Sequence, residues 1–461
     1  MPDKPVHFPQ KSDKQSGKLV RSFSSLKHEL QAKHIKYMLI FTLAPIFPSM
    51  RDSLRVDAYP LFGLNSIFLM GIAYSLGIGL LFAFAKLENI ARYARHVVMF
   101  MALGFVLWLI LPIGPLATLA GIVFSLLFGG CAGFQLFGFG CALNDTERLI
   151  GAAITSLFCL LFQLFIALVP LSGNSGIVFV ALQVLVSAKC LTLYQEQDFE
   201  HIKNKSIEGH GKKLAPALFF FFAHRAIVFF YSYLPAAPSQ LISGIAGLFV
   251  FALCIIIYVA AKFKIWHMCN MFFVGMAVTF ILRLLLPNSH GALAASITQG
   301  FSHMGFIASY YLLGLVLGKF VNFKLFKWVL AFIFNASLLL HIIPGILAKK
   351  APEMMPLVGT LTTMGLFVLF TLMMPLMSQQ LFIKTAVPEN TQEKHQQLVL
   401  NFGFTLREEE VVKCLRKGMT YKQCAAELHI SQNTVKFHAL NVYRKAGVTS
   451  RGELMALFLD E

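Results

Sequence analysis

Charge is what this sequence has least of. Asp, Glu, Lys and Arg make up 13% of its 461 residues, against 57% hydrophobic, whereas a soluble globular domain carries about a quarter charged. With a mean hydropathy of +0.69, such a chain cannot clothe itself in water and needs lipid as solvent. Acids are the scarcer sign, 22 against 39 Lys and Arg. Beyond the first apolar segment none sits clearly inside an apolar stretch, which removes the carboxylate relay that proton-coupled transport usually wants. No Cys-x-x-C occurs among the eight cysteines, so neither a zinc site nor a disulfide framework is indicated and reduced, buried thiols are expected. The first 30 residues hold no apolar h-region, which excludes a cleaved signal peptide. No nucleophile–base pair, metal cluster or phosphate loop is present; an enzyme is not expected, nor any metal or cofactor.

Long apolar runs are what the chain has in abundance. Twelve are long enough to be candidates for crossing about 30 Å of hydrocarbon: 37–54, 60–85, 97–114, 115–143, 149–170, 175–194, 214–236, 238–261, 266–286, 292–318, 327–347 and 355–378. The first is the weakest, being short and holding two prolines. Residues 1–36 read as a basic, partly disordered cytoplasmic tail. With the N-terminus inside, the inner connections hold Lys86, Arg92, Arg95, Arg148, Lys203, Lys205, Lys212, Lys213, Lys262, Lys264, Lys319, Lys324 and Lys327. The outer ones hold only Arg51, Arg55, Lys349 and Lys350. That is a positive-inside bias, and it returns the C-terminus to the cytoplasm. The expectation is a multi-pass protein of the bacterial inner membrane, both termini cytoplasmic.

The longest connection, 195–213, divides the segments six and six. This layout resembles the major facilitator superfamily, and the resemblance implies a ligand cavity between two halves. That family's motif between spans two and three, Gly-x-x-x-Asp-Arg-x-Gly-Arg-Arg, is not matched: AKLENIARYARH has the basic residues but neither the Asp nor the glycines. Sensing is therefore favoured over pumping.

Ionisable residues inside spans are costly and usually functional. Lys189 and Arg283 lie near span ends, where they can snorkel. Arg225, beside His224, stands about 11 residues into its span, near the midplane at roughly 1.5 Å per residue. It is either satisfied by backbone carbonyls and amides of the bundle or is the counter-ion of an anionic small-molecule ligand. His303 and His341 are better read as hydrogen-bonded imidazoles.

Residues 379–400 change composition abruptly and read as a linker, spanning roughly 25 Å if flexible. Residues 401–461 form a separate four-helix domain. In the first helix Thr405 is an N-cap, acids occupy the first turn, Arg416 and Lys417 the last, and Gly418 stops it. TYKQCAAELHI is a second, short helix with Cys424, Ala425 and Leu428 on its apolar face. Ser431 caps the third helix, Gly447 ends it, and SRGELMALFLD is an amphipathic fourth. Two helices joined by a tight turn at His429, Ile430 and Ser431 make a helix-turn-helix.

The domain resembles the LuxR/FixJ (GerE-type) DNA-binding domain. The matching residues are Thr405, Arg407, Glu408, Glu410, Val411, Leu415, Gly418, Lys422, Ala425, Leu428, Ile430, Ser431, Thr434, Val435, Lys436, His438, Asn441, Tyr443, Lys445, Gly447, Val448 and Arg451. The resemblance implies four helices, the third in the major groove of double-stranded DNA and the fourth commonly used for homodimerisation. No receiver or acyl-homoserine-lactone domain accompanies it.

Spacing alone puts Val435, His438, Ala439, Val442 and Ala446 on the inward stripe of the third helix. Asn433, Lys436, Phe437, Leu440 and Arg444 form the opposite face and are the candidate base readers. Lys436 suits guanine O6 and N7, while Phe437 and Leu440 suit thymine methyls. Leu440 departs from the polar residue frequent there in the family. Lys422, Thr434, Lys445 and Arg451 suit phosphates, and Leu454, Met455, Leu457 and Phe458 are candidate dimer contacts. The fold expected is all-α: a twelve-helix membrane bundle, 37–378, followed by the LuxR-type domain, 401–461. The function expected is that of a one-component, membrane-integral transcriptional regulator; the alternative is a facilitator-type transporter with an attached regulatory domain.

Overall fold

The computed structural model describes residues 30–43, 66–112, 114–169, 175–202, 211–234, 240–286, 288–320, 322–382, 402–416, 419–448 and 450–454. They are helical, with no strand among them, and belong to two compact units, residues 1–381 and 382–461.

The first unit contains α1 (Ser66–Ala83), α2 (Ile90–Ile110), α3 (Pro115–Cys141), α4 (Asp145–Leu168), α5 (Ser175–Thr192), α6 (Gly211–Ser232), α7 (Gln240–Ala260), α8 (Ile265–Leu285), α9 (Asn288–Phe320), α10 (Phe323–Leu338), α11 (Ile342–Lys350) and α12 (Met355–Phe382). Among the described residues nine helical stretches are long and apolar enough to cross a membrane, from Leu87–Ile110 to Pro352–Ser378, and Phe68–Ala83 and Gly176–Thr192 are shorter apolar helices. The unit is inverted relative to a water-soluble protein. Leu372 is 70% exposed and Phe249, Trp328 and Val259 are similarly bare, while Gln135, Gln183, Ser187 and Ser309 are buried. A continuous apolar exterior around a polar-dotted interior is what a lipid solvent selects.

The expected first span, 37–54, is not one helix where it is described. A single turn, Ile35–Met38, ends at Leu39, and a 3-10 turn follows at Phe41–Leu43; residues 44–54 lie outside the described residues. Side chains replace the missing helical bonds. Gln135 Oε1 accepts from the Thr42 amide at 3.1 Å and from its hydroxyl. Gln183 Nε2 donates to the Phe41 carbonyl at 2.8 Å, and the Tyr74 hydroxyl donates to that of Thr42 at 2.5 Å. Irregular backbone at this depth persists only where protein satisfies it. The twelve-span count therefore loses its first regular helix.

The basic tail is also not free to residue 36. Glu147, 0% exposed in the first turn of α4, accepts from the Gln31 amide at 3.0 Å and pairs with His34 Nδ1 at 2.9 Å. Lys36 reaches the Leu193 carbonyl and Asp198. Residues 1–29 lie outside the described residues. Arg148, counted above as a loop charge, is buried. It donates to the Gly140 and Phe139 carbonyls at the end of α3 and to Asp145, which Lys319 also meets at 2.6 Å. A guanidinium here satisfies helix-end carbonyls that have no intrahelical partner.

Within this unit α1 packs along α3 and α8 along α9, and α9 and α10 bridge to α3, α4 and α1. Gly77 and Gly129 let α1 and α3 touch backbone to backbone: a Cβ on either would fall on the carbonyl oxygen of Leu126 or Tyr74.

Candidate nucleic-acid interface

The second unit holds α13 (Leu406–Arg416), α14 (Tyr421–Glu427) and α15 (Gln432–Ala446). Each starts at a residue that can serve the orphan amides. Thr405 and Glu408 exchange bonds across the first turn of α13, and Thr420 and Gln423 form a capping box on α14. Ser431 Oγ accepts from the Thr434 amide at 3.1 Å. Gly447, left-handed at φ 68, closes α15, where a residue without Cβ carries no penalty. The turn between α14 and α15 holds His429 at φ 54. Lys417, Gly418 and residues 455–461 lie outside the described residues.

Val435, Ala439 and Val442 are buried against Val411, Val412, Leu415 and Cys424. The same rotation leaves Asn433, Lys436, Phe437, Leu440 and Arg444 exposed on one face of α15. Phe437 is 62% and Leu440 61% exposed. Two bare apolar side chains thus lie between a lysine and an arginine on this face. Lys422 is exposed on α14, and the half-buried Thr434 meets Ser431 Oγ with its hydroxyl at 2.7 Å.

Three expected contacts are used inside the domain. Lys445 donates to Glu408 at 2.7 Å and to the Gly403 carbonyl at 3.0 Å. Arg451 donates to the Met419 carbonyl at 2.9 Å and to that of Leu415 at 2.6 Å. Leu454 is 0% exposed in the core, so it cannot form a dimer surface. Chain folding brings these groups onto distant helices, and spacing along one helix does not reveal that. Tyr421, missed by the sequence analysis, and Tyr443, noted there only as a residue of the family pattern, share a hydroxyl contact at 3.1 Å between α14 and α15.

Desolvation is the largest influence on Glu408 and pushes its carboxyl up. The Lys445 hydrogen bond, the Thr405 bonds and the Lys445 charge together outweigh it and hold the group below the ordinary glutamate range. A depressed folded-state value contributes stability that is full above the unfolded value and lost as pH falls through the folded one. Hydrogen-exchange protection of α13 and α15 in the full chain should therefore decline below about pH 4.3. Glu408→Gln should flatten that dependence and, at neutral pH, cost about 1–2 kcal/mol; an unchanged acid limb in the variant would remove this pair from the account.

In the first unit, His224 and Arg225 are neighbours on α6 but face different ways, since successive helical residues are about 100° apart. The His224 ring lies 5.1 Å from Phe272, and a Cβ at Gly305 would touch it. The Arg225 guanidinium sits 5.3 Å from the Phe229 ring and 5.8 Å from that of Phe221. The two side chains therefore meet different aromatic neighbours.

Residues 403–458 match the model of the bacterial regulatory proteins, luxR family. Similar curated proteins include the probable transcriptional regulatory protein SgaR of Hyphomicrobium methylovorum, 47% identical over 58 residues, 13% of this chain and 28% of that protein. The nitrate/nitrite response regulator protein NarP of Escherichia coli is 44% identical over 57 residues, 12% of this chain and 26% of its own. A putative HTH-type transcriptional regulator of Aeromonas salmonicida is 36% identical over 91 residues, 19% of this chain and 44% of its own. The chain thus spans under half the length of each. With its capped helices, left-handed turn and exposed third-helix face, the segment 403–458 is a LuxR-type helix-turn-helix domain.

Proposed function

We propose that the chain is a membrane-integral, one-component transcriptional regulator. Its apolar helical region senses a ligand or membrane signal, and its C-terminal domain binds promoter DNA as a homodimer. The observation that carries this is the exposed face of α15, held by a LuxR-type domain that follows a lipid-adapted unit. In this account α15 enters the major groove. Lys436 donates to guanine, Phe437 and Leu440 pack on thymine methyls, and Asn433 and Arg444 complete the base contacts. Lys422 and Thr434 position the domain on phosphates. Lys445 and Arg451 build the reader rather than touch DNA, and Met455, Leu457 and Phe458 carry dimerisation. The membrane region keeps a facilitator-like division into halves at 195–213, in the inner membrane with both termini cytoplasmic. A ligand binding two arrangements of those halves with different affinity shifts their populations, and residues 379–400 transmit the change.

The test is genome-wide occupancy of the tagged full chain beside Lys436→Ala. Discrete promoter peaks are expected, with affinity reduced about tenfold in the variant, the value of one good base contact. Absence of peaks in every growth condition, with the protein intact in the membrane, would sink the regulator account. The alternative, a transporter carrying its own regulatory domain, is favoured by the half-buried Arg225 inside the helical unit. Uptake of labelled solute into proteoliposomes decides it.

A further inference from the structure

Arg225 lies among helices of both halves of the first unit. Its guanidinium lies over Phe221 and Phe229 of its own helix; Tyr310 on α9 packs on the first of these rings and His341, beyond α10, on the second. Tyr310 packs edge-on against Phe221 and tilted against Phe306 at 4.5 Å. His341 stacks on Phe229. Arg225 Nε and the Tyr310 hydroxyl are both buried without a hydrogen-bond partner. Among the described residues no carboxylate pairs with Arg225.

A half-buried guanidinium among apolar helices with no carboxylate beside it carries a desolvation cost, and its buried Nε, a donor without an acceptor, adds to that cost. Both deficits vanish when one anion arrives. The chemistry present also selects among anions. One guanidinium offers a planar fork and a single positive charge, which match a carboxylate; a phosphate dianion would leave charge uncompensated. The surroundings, Phe221, Phe229, Phe306 and Tyr310, suit an apolar or aromatic body.

We infer that Arg225 and Tyr310 form a binding site for an organic monocarboxylate, Arg225 pairing with its carboxylate and Tyr310 donating a hydrogen bond to it, with the acid's apolar body against Phe221, Phe229 and Phe306. His224 is no part of it. The inference rests on the sensing account and names the class of ligand sensed.

The test uses the full chain in phosphatidylcholine nanodiscs. Thermal stability is followed with acetate, butyrate, octanoate, decanoate, benzoate and phenylacetate, each beside its neutral amide. At least one acid should raise Tm by about 5 °C at roughly 100 times its Kd, and its amide should not. Arg225→Gln should abolish the shift and raise the Tm of the unliganded protein, because it removes an uncompensated charge. Tyr310→Phe should keep the fold and weaken the acid about tenfold. A response confined to octanoate and decanoate assigns the site to lipid-derived acids, and one to the shorter or aromatic acids assigns it to water-soluble ones. No shift with any acid, an equal shift with an amide, or a lower unliganded Tm in Arg225→Gln overturns the site. Acids that bind while promoter occupancy ignores them leave the site standing and remove the sensing account. Occupancy that responds to growth conditions without any acid binding does the reverse.

Discussion

Gly129→Val should abolish the folded full-length chain, whereas Gly71→Ala should leave it unchanged. A Cβ at Gly129 would fall on the Tyr74 carbonyl oxygen and close to the Ile78 amide, both backbone atoms of α1. Neither can rotate away, so α1 and α3 must separate along their shared length. Gly77, facing Leu126 from the other helix, makes the contact reciprocal. Small residues at helix crossings of lipid-embedded proteins act in this way, since close packing replaces the hydrophobic effect between helices. Overpacking usually costs 1–3 kcal/mol, and a backbone clash with no rotamer escape should exceed about 3 kcal/mol. At Gly71, on the same helix as Gly77, an added Cβ meets nothing within 4 Å. Size-exclusion profiles of fluorescently tagged protein would report the monodisperse fraction. A Gly129→Val chain with a wild-type profile would mean that α1 and α3 do not meet as described.

The second large effect is expected at Arg451. Its two nitrogens satisfy the carbonyls of Leu415, in the last turn of α13, and Met419, just before α14. Arg451→Ala should destabilise the DNA-binding domain by about 2–4 kcal/mol, the combined worth of charge-assisted bonds and the half-buried carbonyls left behind. A domain of this size has little more than that in reserve. Arg451→Lys should recover little of the loss, because an ammonium cannot span two acceptors as the guanidinium fork does. Hydrogen exchange of α13 and α14 in the full chain reads the loss directly. A phosphate contact would behave differently: exchange would stay unchanged while the salt dependence of DNA binding fell by about one unit of slope.

Lys436 and Arg451 show why part of the interface could be read from the chain and part could not. Both are cations in the LuxR-like pattern, and both suit DNA. Lys436 belongs to a helix whose inward stripe is local: positions three and four apart fix which side is buried, so its exposure follows from periodicity. Arg451 stands beyond Gly447, and its partners are more than 30 residues earlier. Nothing local separates a guanidinium that clamps carbonyls from one that meets phosphate. Lys445 and Leu454 follow the same rule, their roles set by Glu408 and by the core of the domain.

The first unit divides similarly. Eleven of the twelve apolar runs coincide with helices, because hydrophobic length is a property of the segment itself and a backbone in lipid must satisfy its own hydrogen bonds. The exception, around Phe41 and Thr42, is held open by glutamines 93 and 142 residues away in the chain. Its two prolines hinted at irregularity without locating it. Likewise Arg148 reads as a loop charge, yet it is buried against the end of α3, and its neighbour Glu147 is buried against residues 31–34.

Composition, apolar run length and helical period thus point to the apolar character of the first unit, its helices and the exposed face of α15, since each depends on a few neighbouring residues. Which of the 33 glycines touches backbone, which cations remain for DNA, and that Arg225 parts company with His224 all depend on residues far apart in the chain. Those pairings exist only once the helices pack, because a side chain's partner is set by which helix lies opposite.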